Sequence, residues 1–152
     1  MHEIWNKLIR FCNYQERCRH DILKKLHALE VSQTTAQQLI QKLEAENLLN
    51  ETRYVQQFVN GHFKQKKWGR KKIEIALKSK NINPEHYTTL LNELLPTTHY
   101  QEQLTQLAHR KYKTIKGETT IIRKQKLFRF LLSKGYEAKH ITTIIKNITY
   151  NQ

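Results

Sequence analysis

Glycine and proline are scarce, four and two residues in a chain of 152. So few turn formers exclude a fold of many short strands joined by tight turns, and favour long helices with short connections. Aspartate is scarcer still: Asp21 is the single one. With thirteen acidic residues in all, a paired general acid and base has no obvious home. A glycine-rich phosphate loop, a nucleophile elbow and an H-E-x-x-H helix are also missing, so the expectation is a protein that is not an enzyme and needs no cofactor. Cys12 and Cys18 are too few for a disulfide scaffold and suit a reducing compartment. They lie near His20 and His27, but the spacing matches no standard set of zinc ligands, and no metal site is expected. No apolar run approaches the roughly 18 residues that cross a bilayer, and the N-terminus has no apolar stretch of signal-peptide length. The expected compartment is the cytoplasm.

Positive charge, in contrast, is abundant: 27 basic residues, a net charge of +14. It is also unevenly placed. Residues 1–52 hold seven basic and seven acidic groups, residues 53–96 nine and three, residues 97–152 eleven and three. A chain basic over its C-terminal two thirds seeks a polyanion or an acidic protein surface. A soluble basic protein without such a partner is the plain alternative.

The apolar residues repeat. Ile22, Ile73 and Leu127 stand 51 and then 54 residues apart, and the same offsets link Leu26, Leu77 and Leu131; Val31, Ile82 and Tyr136; Leu39, Leu90 and Ile144; Ile40, Leu91 and Ile145; and Leu43, Leu94 and Ile148. Within each unit the spacing is helical, i and i+4 in one segment and i, i+1, i+4 in the next. Asn81 and Gly135 fall at equivalent joints, both tolerant of the left-handed conformation that ends a helix. Ser32 and Asn83 follow as N-caps, with Pro84 at the favoured first helical position. Glu30 and Glu137 break these two patterns. A further helix precedes each pair, marked by Trp5, Leu8, Ile9 and Cys12, by Tyr54, Val55, Phe58, Val59 and Phe63, and by Leu104, Leu107, Ala108 and Tyr112. About five extra residues lie around IKGETT (115–120) in the last unit. The expected architecture is all-α: three tandem three-helix repeats, 1–49, 50–96 and 97–152, in one repeat-built domain forming an elongated, curved array. One compact helical bundle with a coincidental repeat is the alternative.

Two basic clusters are the candidate contact residues. Lys64, Lys66, Lys67, Arg70, Lys71 and Lys72 crowd a loop and a predicted helix start near Gly69, the end of a helix dipole that disfavours cations. Arg110, Lys111, Lys113, Arg123, Lys124 and Lys126 form the second. Arg123, Lys124 and Lys126 align with Gly69, Arg70 and Lys72, so two neighbouring repeats are expected to show one basic stripe, fading at Cys18, Arg19, His20 and Asp21 of the first. Such cations bind phosphates or acidic side chains without sequence specificity; a solvated helix end is the competing reading. Trp68 either stacks on a base or covers a seam between helices.

The segments RCRHDILKKL (17–26), LLNETRYVQQFV (48–59) and WGRKKIEIALKSKNI (68–82) resemble the bacterial RecX family. The matching residues are Arg19, Leu26, Leu49, Arg53, Tyr54, Phe58, Gly69, Lys72, Ile73, Leu77, Lys80 and Ile82; Asn50, Val55 and Asn81 depart from the family pattern. The resemblance implies a three-repeat helical fold and a regulator that binds the RecA–DNA filament, restraining its assembly, ATP hydrolysis or strand exchange, with direct DNA binding in some members; a monomer is expected. A nucleic-acid-binding helical module acting without a recombinase is the other functional expectation.

Overall fold

Two of the six recurring apolar columns mark the end of a helix and pack its last turn. The computed structural model describes residues 2–150; Met1, Asn151 and Gln152, which the first and third repeats as bounded above include, lie outside the described residues. Among the described residues there are nine α-helices and no strand: α1 (His2–Tyr14), α2 (Arg19–Ala28), α3 (Gln33–Ala45), α4 (Glu51–Lys64), α5 (Arg70–Ser79), α6 (Pro84–Leu94), α7 (Thr97–Tyr112), α8 (Thr120–Ser133) and α9 (Ala138–Tyr150).

The corner between the second and third helices is the same in each group of three. Glu30, Asn81 and Gly135 all have left-handed backbones, with φ of 60°, 59° and 97°. The next N–H reaches back to the carbonyl five residues earlier: Val31 to Leu26 at 3.0 Å, Ile82 to Leu77 at 3.4 Å, Tyr136 to Leu131 at 3.3 Å. This is a Schellman ending, in which those two positions also make an apolar contact. Two of the recurring apolar columns are therefore the two halves of one cap. Glu30, expected to break the pattern, adopts the conformation anyway, at a cost of order 1 kcal/mol for a residue with a Cβ. Glu137 does break it, because its carboxylate is engaged elsewhere: it accepts a hydrogen bond from the Tyr100 hydroxyl at 2.5 Å. Ser32, Asn50, Asn83 and Thr119 cap α3, α4, α6 and α8 through their side-chain oxygens, as their types favour.

Two cores result. Leu8, Cys12, Ile22, Leu26, Leu39, Ile40 and Leu43 pack α1–α3 together. A larger core runs without a break through α4–α9. Ile73 and Leu77 of α5 and Leu127 and Leu131 of α8 are fully buried in it, each stabilising by about 1.5–3 kcal/mol. Phe63 of α4 stacks on Tyr100 of α7, centroids 5.8 Å apart, and Tyr100 meets Tyr136 at 5.4 Å. Among the described residues, Cys18 alone crosses over from the first group into the larger core. Burial raises both thiols, Cys18 to about 11.

The joint between the first and second groups is made by side chains instead. Lys80 donates to Asp21 at 2.8 Å, and the Asn81 amide lies 3.2 Å from the His20 ring. Arg53 donates to the Glu16 carboxylate at 2.9 Å, to the Asn47 side chain at 2.9 Å and to the Asn47 carbonyl at 2.8 Å. Arg53 thus holds the α3–α4 connection against the α1–α2 loop. Arg53→Ala is expected to destabilise the protein by about 2 kcal/mol in urea unfolding, since a largely buried Glu16 loses its partner. Arg53→Lys recovers little of this, because a lone ammonium lacks the guanidinium fork.

Asp21 makes this joint sensitive to acid. Burial pulls its carboxyl up, but hydrogen bonds from Lys80 and from the Cys18 N–H outweigh burial and hold it below its ordinary value of 3.8. A depressed carboxyl contributes stability that is full above the unfolded value and is lost as pH falls through the folded one. Below about pH 4, the α1–α2 loop is expected to become more susceptible to an acid protease, and Asp21→Asn is expected to remove that pH dependence.

Candidate polyanion interface

The start of α5 is where the cations gather, and it is not an open helix end. Its N-cap, Gly69, has no side chain to offer. The Gly69 N–H donates to the Lys134 carbonyl at 2.7 Å and the Lys71 N–H to the Gly135 carbonyl at 2.9 Å. The Arg70 N–H donates to the Tyr100 hydroxyl at 2.9 Å. The positive end of α5 thus abuts the negative end of α8, and the unfavourable setting of Lys71 and Lys72 at their own helix start is offset by the carbonyls of another helix's end. This approach needs two of the four glycines. A Cβ on Gly69 would lie 2.5 Å from the Gly135 carbonyl carbon, and one on Gly135 would lie 2.6 Å from the Lys72 nitrogen.

Aromatic rings hold the cations above this contact. The Lys72 and Lys66 ammoniums lie 4.7 and 5.7 Å from the Trp68 ring centroid. The Lys111 and Lys134 ammoniums lie 4.5 and 5.8 Å from that of Phe130, and Lys134 also donates to the Lys66 carbonyl at 3.2 Å. Lys66, Lys72, Lys134 and Lys111 therefore form one continuous array from α5 across the α8 end to α7. Exposed Lys71 stands beside it on α5. A cleft of about 390 Å³ adds Lys64, Lys67 and Arg110, facing Glu93 and Glu102. Trp68 covers the seam: its ring packs against His62 at 4.5 Å and edge-on to Phe58 at 6.5 Å.

Several expected contact residues sit differently. Arg70 is turned inward, paired with Glu74 at 2.6 Å and Asn92 at 2.7 Å, so it ties α5 to α6. Arg123 folds over the Tyr112 ring at 4.2 Å and reaches the Tyr112 carbonyl at 3.4 Å. The Lys126 ammonium donates to the Lys116 carbonyl at 2.7 Å, pinning the α7–α8 loop. Lys124 is half-buried on α8 and Lys113 is exposed on that loop. The alignment of Arg123, Lys124 and Lys126 with a helix start fails because α8 begins at Thr120, a full turn before the register of α5 places it. Lys134 and Phe130, which join the two clusters, were not among the candidates. Lys134 stands 54 residues after Lys80, and in both joints this lysine reaches back to the preceding repeat.

Fold and surface together define an all-α helical-repeat protein with a basic face across its second and third units. Models of the second and third three-helix domains of RecX match residues 50–91 and 99–145. The chain is 30% identical over 151 residues to the regulatory protein RecX of Clostridium perfringens strain SM101, covering 97% of this chain and 69% of that protein. Against the regulatory protein RecX of Staphylococcus aureus strain Newman the identity is 23%, covering 97% of this chain and 53% of the relative. The fold matches that of RecX from Lactobacillus salivarius, with a TM-score of 0.83 at 24% identity over 98% of this chain and 96% of the other. A second crystal structure of a regulatory protein RecX gives 0.86 at 20% identity, over 96% and 72%. The chain belongs to the RecX family.

Proposed function

We propose that this protein is a regulator that binds the RecA–DNA filament and restrains its assembly, ATP hydrolysis or strand exchange. The observation that carries the proposal is the array of Lys66, Lys72, Lys134 and Lys111, held on aromatic rings and continuous from the second repeat to the third. Cations fixed this way are ordered before binding, which lowers the entropy cost of meeting a regular row of negative charge. A nucleoprotein filament presents such a row, in phosphates or in acidic side chains. The shared core of α4–α9 makes the array one rigid body, while the three repeats 1–49, 50–96 and 97–152 act as one unit on the filament. Several weak contacts along successive filament subunits then act together. Family membership supports the recombinase as the partner.

The competing reading, a module that binds bare nucleic acid, draws on the same charges. Titrating the protein onto bare single-stranded DNA and onto the same strand coated with RecA, at matched salt, separates them. The proposal expects tighter binding to the coated strand; equal or weaker binding there, with tight binding to the bare strand, would overturn it.

A further inference from the structure

The third repeat carries one feature that neither the core nor the basic array uses. Measured by the 54-residue offset, α5 begins where Lys124 stands, yet α8 begins at Thr120. The extra turn brings Ile121 and Ile122 to the surface, 68% and 37% exposed. It is well formed: the Thr119 hydroxyl accepts the Ile122 N–H at 3.1 Å. The loop before it lies against this turn, so that a Cβ on Gly117 would meet Ile122 at 3.2 Å. Lys126 fastens the loop's other side through the Lys116 carbonyl. Two isoleucines are thus held out to solvent in a fixed position, at an entropy cost that a free loop would leave to the partner.

We infer that Ile121 and Ile122 form an anchor that inserts into an apolar recess rimmed by carboxylates on the protein component of the filament. The surroundings choose the occupant. Lys126, one turn after Ile122, and Lys116, whose carbonyl it holds, flank the turn, against Glu118 as the acidic residue of the loop, so an acidic rim is the complementary one. A second copy of this chain would bring like charges together at the tip. Bases are poor partners, because a branched aliphatic side chain offers no ring to stack on. Two residues on one turn fall short of the long apolar face with which a helix lies on a membrane. The apolar pair with a cationic rim follows the anatomy of a protein interface, a buried apolar centre with a polar edge.

The inference rests on the filament reading for the partner's identity, and one experiment tells the two apart. Labelled wild-type protein, Ile121→Ser and the double variant Ile121→Ser/Ile122→Ser are titrated onto bare single-stranded DNA and onto RecA-coated strand held with a non-hydrolysable ATP analogue. The anchor predicts about a tenfold loss of affinity for the coated strand with Ile121→Ser and a larger loss with the double variant. Affinity for the bare strand is expected to stay unchanged in both variants, and the thermal melt in Ile121→Ser, since Ile121 is 68% exposed and packs against little. Unchanged binding of both variants to the coated strand would overturn the anchor and leave the filament reading standing. Equal losses on both strands would overturn it as well, by making the turn a nucleic-acid contact or a part of the fold. If the wild type itself shows no preference for the coated strand, the filament reading fails and the anchor falls with it.

Discussion

Replacing Gly135 by alanine is expected to lower the melting temperature by about 10 °C. Two costs add. The backbone at φ 97° is strained for any residue with a Cβ, by about 1–3 kcal/mol. The new methyl would also lie 2.6 Å from the Lys72 nitrogen, and forcing the start of α5 from the end of α8 costs a further 1–3 kcal/mol or so. The hydrogen bonds from Gly69 and Lys71 to the Lys134 and Gly135 carbonyls lengthen as the helices part. Glu30 is the control, with φ 60° at the equivalent corner. Glu30→Gly is expected to be neutral or to stabilise by up to about 1 kcal/mol, because it relieves left-handed strain. Thermal melts of the two variants check both signs. Equal effects at the two corners would show that the α5–α8 contact does not govern the stability of the larger core.

Reversing Lys66, Lys71 and Lys72 to glutamate is expected to weaken filament binding at least a hundredfold while leaving the fold intact. Among the described residues none pairs with the ammonium of Lys66, Lys71 or Lys72, and the Lys66 contribution to the α8 joint comes from its carbonyl. Loss of the cation–π contacts to Trp68 costs about 0.5–1 kcal/mol each at such exposed sites, a shift of a few degrees in melting. Arg70 is left alone deliberately, since its pairing with Glu74 and Asn92 would make a reversal there a test of folding. Neutralising the three lysines with glutamine is expected to reduce the slope of log affinity against log salt by about 0.7 for each one that meets a phosphate of the single strand. Filament titrations at several salt concentrations, beside a thermal melt, read both effects.

Much of the fold was legible because the signals are local. Leu26, Leu77 and Leu131, with Val31, Ile82 and Tyr136, are five residues apart within a single helix ending, so one offset repeated along the chain exposes all three corners. The α8 extension was masked by that same regularity. Thr119 is a good N-cap by type, yet a fixed register places the helix start at Lys124, and the extra residues around 115–120 read as loop where part of them are helix. The candidate interface was legible only as a density of lysine and arginine. Which cations face inward depends on partners far along the chain: Asn92 for Arg70, and the Tyr112 ring and carbonyl for Arg123. Likewise, the carbonyls that receive α5 belong to residues 134 and 135, more than sixty positions from Gly69.

The central claim is that the basic face across the second and third repeats acts on a recombinase filament. ATP hydrolysis by the RecA of the same organism on single-stranded DNA, titrated with wild-type protein and with the Lys66, Lys71 and Lys72 reversal, tests it most directly. The account predicts inhibition by the wild type well below one protein per RecA subunit, and little inhibition by the folded reversal variant. Hydrolysis untouched by the wild type, or inhibition undiminished in the variant, would contradict it.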